Sequence, residues 1–124
     1  MNYNLSKIRI KCAEIVGWKK VPLPKVQNWG EDAGPDKQWW YEHQLPRFTE
    51  SADAALELVA WMSKPENGGW DTQCSQWSRG KEWRVTFAKG EGKTYIGSIG
   101  TADTFQLALC LAFLRANGID LETL

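Results

Sequence analysis

One histidine and three cysteines are the residues of this chain best suited to catalysis or metal binding, and their spacing supports neither. Cys12, Cys74 and Cys110 lie far apart, with no Cys-x-x-Cys pair, and His43 stands alone. A structural zinc site needs four nitrogen or sulfur ligands, usually in close pairs, so no metal site is expected. A nucleophilic thiol would need the fold to bring His43 beside it. Cys110 falls among apolar residues, where a thiol is inert, and Cys74 falls in a predicted strand and is the one open to reaction. Glu31, Asp32 and Asp36 do not sit at the alternate positions of a calcium loop and read as a solvated turn. No catalytic residue, metal ligand or cofactor is expected, and the chain is read as a non-enzyme.

Tryptophan is what stands out. The chain has 8 Trp in 124 residues. Such rings either bury large areas in a small core or stack on planar ligands and partners. A nucleotide-type ligand needs aromatic faces for its base, cations for its phosphates and hydroxyls for its sugar. Trp39 and Trp40 in a long loop, Trp77 at the end of a predicted strand, and Arg84 and Thr86 on one sheet face supply those types. Arg47 and Lys93 add charge. These seven are the candidate ligand-binding residues. Each also has a plainer reading, Trp39 and Trp40 as a hydrophobic plug and Arg84 as a surface residue with a buried stem. The alternative function is a protein–protein interaction module or homo-oligomer, since Trp and Arg dominate interface hot spots. A ligand site calls for a concave pocket where aromatics meet cations; an interface calls for a flat aromatic patch with a polar rim.

The elements that must position these residues are legible from periodicity. Residues 4–16 place Leu5, Ile8, Cys12 and Ile15 on one helical stripe, with Asn4 as cap and Gly17 as stop. Residues 17–48 are broken by proline and glycine and read as a Trp-rich loop, with a short extended piece at 39–43. Residues 50–63 form a second helix, capped by Thr49 or Ser51, with Ala55, Leu58, Val59 and Met62 inward. Three strands follow at 69–78, 81–89 and 93–99, joined by turns at Arg79–Gly80 and Lys89–Gly92. In the second, Trp83, Val85 and Phe87 share one face. The stretch from Gly100 to Gly118 is the core helix: it is apolar nearly all round, with Thr101 or Asp103 as cap and Asn117–Gly118 as stop.

The expected fold is therefore one α+β domain, residues 1–124. A first helix and a Trp-rich loop precede an α-β-β-β-α core over 49–118. Two helices would cover the Trp83/Val85/Phe87 face, and the first helix with the loop would cover the other. That makes an α/β/α sandwich around a three-stranded antiparallel sheet.

Three segments resemble a known family. They are Ile15-Val16-Gly17-Trp18 after the early helix, Leu45-Pro46-Arg47-Phe48-Thr49 leading into Ala52 to Trp61, and Ala102-Asp103-Thr104-Phe105-Gln106-Leu107-Ala108-Leu109-Cys110. They are similar to the phage ABA-sandwich domain proteins, small α/β/α proteins of bacteriophages and prophages. Leu111 departs from the pattern, since such proteins often carry Arg there. The resemblance implies a phage origin and a fold, and no activity to carry over to named residues. Phage proteins of this size include some that neutralise host defences by trapping signalling nucleotides. Counter-defence in the host bacterial cytoplasm is the function this implies, with a nucleotide-type molecule or a host protein as partner.

The same α-β-β-β-α order also looks like a double-stranded-RNA-binding domain. That domain needs lysines at the start of its last helix to hold phosphates. Here the position reads Thr101-Ala102-Asp103-Thr104, which has the wrong sign. The 15 basic and 15 acidic residues cancel, which also counts against a general polyanion binder. No run of 18 apolar residues exists, so no membrane helix is expected, and the first residues lack the apolar centre of a signal peptide.

Overall fold

The computed structural model describes residues 3–21, 37–39, 41–76 and 81–124. Three helices and a three-stranded antiparallel sheet form the body of the fold. Helix α1 spans Leu5–Ile15, and the Asn4 side chain accepts from the Lys7 backbone N–H at 3.1 Å. Gly17, at φ +106°, turns the chain out of α1, a conformation that glycine adopts without strain. Strands β1 (Lys19–Lys20) and β2 (Gln38–Trp39) then pair in parallel as a two-residue ladder, where the sequence suggests only loop and a short extended piece. Helix α2 spans Ala52–Ser63 and is capped by the Ser51 hydroxyl.

Strands β3 (Asp71–Gln76), β4 (Trp83–Lys89) and β5 (Ile96–Ala102) run antiparallel in the order β3-β4-β5. The turn expected at Arg79–Gly80 lies outside the described residues. The second connection is longer than expected. A 3-10 turn over Gly92–Thr94 delays β5, and the strand then runs to Ala102. Thr101 therefore belongs to the sheet, and neither it nor Asp103 caps helix α3 (Phe105–Ala116). Thr104 caps it, its hydroxyl accepting from the Leu107 N–H at 3.3 Å.

The core is built around α3. Seven consecutive residues, Ala108 to Leu114, are buried, as a helix covered on every side requires. Burying each of Leu109, Leu111, Phe113 and Leu114 contributes about 1.5–3 kcal/mol. The helix meets the sheet at Gly100. A Cβ there would stand 2.2 Å from the Ala108 carbonyl oxygen and 2.4 Å from the Ala112 nitrogen. The close approach needs glycine in the strand and alanine in the helix. Val85 and Phe87 of β4 are fully buried in the same core, and Trp83 stacks edge-on against Phe105 at 5.7 Å.

The described residues show the helices on one face of the sheet. Helix α1 packs on α3, with the Cys12 thiol against the Cys110 thiol, and α2 packs on α3 through Trp61 on Phe113. All three helices share one core with Val85 and Phe87. Among the described residues no helix packs on the other sheet face. The amphipathic stripe of α1 says that it packs on something, and tertiary contact decides that the something is α3 rather than the sheet. Leu5, expected inward, is 44 % exposed, and Ala13 takes its place beside Ile8 and Cys12. Val59 of α2 is half-buried. No helix among the described residues is long and apolar enough to cross a membrane.

Candidate functional site

The described residues among those nominated from sequence do not converge. Trp39 is 5 % exposed and belongs to the core, with Lys20 Nζ 5.3 Å above its ring. Arg47 is exposed beside Phe48 and pairs with Glu50 at 3.6 Å. Arg84 and Thr86 are half-buried on the sheet face away from α3, in register with Ser75 and Thr101 and with Gln73 and Ile99. Lys93 is exposed on the turn before β5. Trp40 and Trp77 lie outside the described residues. The five described candidates thus occupy the core, the surface before α2, one sheet face and a hairpin end.

A different set of residues does come together. A cleft of about 190 Å³ opens between the end of α1 and the outer side of α2. One wall is Trp61, Ala60 and Leu58 of α2; the other is Val16 and Trp18; Phe48 closes the floor. Lys37, Lys64 and Glu57 complete the lining. This is a concave place where tryptophan meets cations.

Local structure explains each member. Glu57, Ala60, Trp61 and Lys64 recur at i, i+3, i+4 and i+7, so they form one stripe along α2. It runs beside the buried stripe of Ala55, Leu58 and Met62. The Trp61 ring is held by the edge of Phe113, 5.7 Å between centroids and 76° between planes. Trp18 follows the Gly17 turn, and its backbone N–H donates to the Ala13 carbonyl at 2.9 Å. Lys37 is the one described non-glycine residue with positive φ, at 64°. Such a conformation costs a long side chain about 1 kcal/mol or more and persists only where its surroundings enforce it. The surroundings here are the β1–β2 ladder, through Lys19 N–H on the Lys37 carbonyl, and the Lys37 Nζ, which donates to the Val16 carbonyl at 2.8 Å. That carbonyl belongs to the C-terminal end of α1, where a cation is favoured.

The chemistry follows from the lining. Two half-buried indoles offer faces or edges to a planar ring. Two ammonium groups against one carboxylate favour an anion. The volume falls below the 300 Å³ or so of pockets for drug-sized ligands, so it suits one ring system, with the rest of a ligand outside. Two other hollows lack this combination. One of about 320 Å³ is lined by Tyr3, Glu82, Asp103, Thr101, Ala102 and Leu107, with two acids and no cation. One of about 260 Å³, between α1 and the C-terminal residues, has two lysines and no aromatic ring.

No cysteine or histidine lines the cleft among the described residues. Cys12 and Cys110 are buried and unoxidised, and burial together with the neighbouring Cys110 thiol pushes the Cys12 thiol well above its ordinary value. The Cys110 thiol donates to the Phe48 carbonyl at 3.2 Å. Cys74 is exposed on β3. His43 stacks on Tyr41, 5.5 Å between centroids. Among the described residues no three His, Cys, Asp or Glu side chains cluster to hold a metal ion.

Comparison of the chain with protein-family models, curated proteins and solved structures finds no match. The functional reading therefore rests on the cleft. Its signal was present in the sequence as the second stripe of α2, an acid, a tryptophan and a lysine at helical spacing next to the apolar one.

Proposed function

We propose that this protein acts by binding, without catalysis, and that its ligand is a planar anionic molecule of the nucleotide class held in the Trp18–Trp61 cleft. The observation that supports the reading is the meeting of two indoles with Lys37 and Lys64 around a hollow sized for one ring. The base enters between the tryptophans, and the phosphate stays at the rim beside the lysines. The resemblance to the phage ABA-sandwich proteins adds a setting, counter-defence in the cytoplasm of an infected bacterium. The α/β/α layering that this resemblance implies belongs to the proposal, and would need a second layer on the Arg84–Thr86 face.

The test is titration of the purified protein with a panel of linear and cyclic nucleotides, read by tryptophan fluorescence and by thermal melting. Binding quenches the fluorescence and raises the melting temperature, because a ligand at 100 times its dissociation constant stabilises the folded state by about 2.7 kcal/mol. Trp61→Ala weakens binding, so that both responses need correspondingly more ligand. If no nucleotide moves either signal, the reading is wrong, and the interaction-module alternative gains. That alternative has its own support in the exposed Tyr95, Ile96 and Ile99 on and beside β5.

A further inference from the structure

Among the described residues strand β5 is an outer strand of the sheet, paired with β4 on one side. Its sequence from Ile96 to Ala102 has no charge and no proline, the two common defences of an open edge. Tyr95, Ile96 and Ile99 are 57 %, 52 % and 43 % exposed. Such an edge is a template for another strand. Among the described residues one side-chain bond to its backbone stands in the way. Arg115, in the last turn of α3, donates from Nη1 to the Ile99 carbonyl at 2.7 Å.

The position of that contact is informative. We take the Ile99 backbone, whose carbonyl Arg115 already reaches, to belong to the outward-facing set of β5, with Gly97 and Thr101 beside it by strand alternation. An antiparallel copy centred on Ile99 would pair Ile99 with itself through two backbone hydrogen bonds. Gly97 would then face Thr101, and Ile96 would face Ala102. The ends match as well. The exposed Lys93 precedes the strand and the exposed Asp103 follows it, so each copy brings its acid to the end where the other carries its lysine. A twofold contact of this kind closes as a dimer.

We infer that the β5 edge is a latent self-pairing surface for a second copy of this chain, and that Arg115 keeps it shut by occupying the Ile99 carbonyl. The guanidinium satisfies the acceptor at the centre of the twofold register. It also sets a cation where the partner's cation would arrive, and like charges in register repel.

The experiment compares the whole protein, Arg115→Ala and Arg115→Ala/Ile99→Lys by light scattering across a concentration series, with amide exchange at Gly97, Ile99 and Thr101. Arg115 is exposed, so its truncation spares the core. The unsubstituted protein is expected to be a monomer with fast exchange at the three amides. Arg115→Ala is expected to dimerise, with exchange at those amides slowed about tenfold or more. The double variant returns to monomer, because two lysines then face each other at the axis. The inference is overturned if Arg115→Ala stays monomeric at every concentration, if the unsubstituted protein is already a dimer with those amides protected, or if the Ile99→Lys change leaves the dimer intact. Binding of an unrelated extended peptide to Arg115→Ala without self-association would also overturn it.

Discussion

Trp39 and Trp61 are the same residue type with opposite roles. Trp39 sits on a two-residue strand in a stretch that reads as loop, and it is buried in the core. Trp61 sits on a regular helix beside its inward stripe, and it lines the cleft. Irregular or regular local context thus does not tell which ring is buried. A residue in an irregular stretch is buried when it packs into the helical core, as Trp39 does. A residue on an amphipathic helix is half-open when it lies at the border of the apolar stripe. The comparison teaches that border positions of a helix, more than its loops, are where this fold keeps an aromatic ring available.

The largest expected effect would come from Trp39→Ala. Loss of a buried indole costs about 3–5 kcal/mol, measured by urea unfolding, while nucleotide affinity of the folded protein stays the same. A fall in affinity without loss of stability would break the comparison and return Trp39 to the ligand. Trp61→Ala is next. Losing one stacking partner weakens binding by about 1–3 kcal/mol, read by calorimetric titration. If its affinity is unchanged, the cleft is not the site.

Lys37→Gly sharpens the contrast between stability and binding. Glycine relieves the left-handed strain but loses the bond to the Val16 carbonyl. The two changes oppose each other, so unfolding stability stays within about 1 kcal/mol while affinity for an anionic ligand falls, most of all at low salt.

A smaller effect at neutral pH separates Cys12 from Cys74. Cys12 stays protonated when folded and ionises near its ordinary value of 9.0 when unfolded. Above that value the unfolded chain binds fewer protons than the folded one. The contribution of Cys12 is thus whole below pH 9 and is lost as pH rises from there towards the folded value. Melting against pH should show this alkaline decline, and Cys12→Ala should flatten it. In the folded protein a thiol reagent should modify Cys74 and spare Cys12 and Cys110.

Arg47→Ala marks the lower limit. Its pair with Glu50 is 69 % and 58 % exposed, so water screens it. Both stability and ligand affinity should change by no more than about 0.5 kcal/mol.

Much of the fold was legible in residue order alone. Caps and stops are local chemistry, and Asn4, Ser51, Gly17 and the Asn117–Gly118 stop were all readable within a turn of where they act. The alternation of Trp83, Val85 and Phe87 placed the inner face of β4, and the unbroken apolar run of α3 announced a helix covered on all sides. The extension of β5 to Ala102 was not readable. Thr101 and Ala102 suit a cap or a strand equally, and the register opposite Arg84 and Trp83 decides between them.

By itself, then, the sequence determined the element types, their order after residue 48 and the central helix, because those depend on spacings of two to four residues. Only tertiary structure decided the side on which α1 packs, the burial of Trp39, the cleft that joins Trp18 to Trp61 and the Arg115 contact on β5. Each of these depends on residues 16 to more than 40 positions apart, or on which neighbour reaches a surface first, and chain spacing carries no record of that.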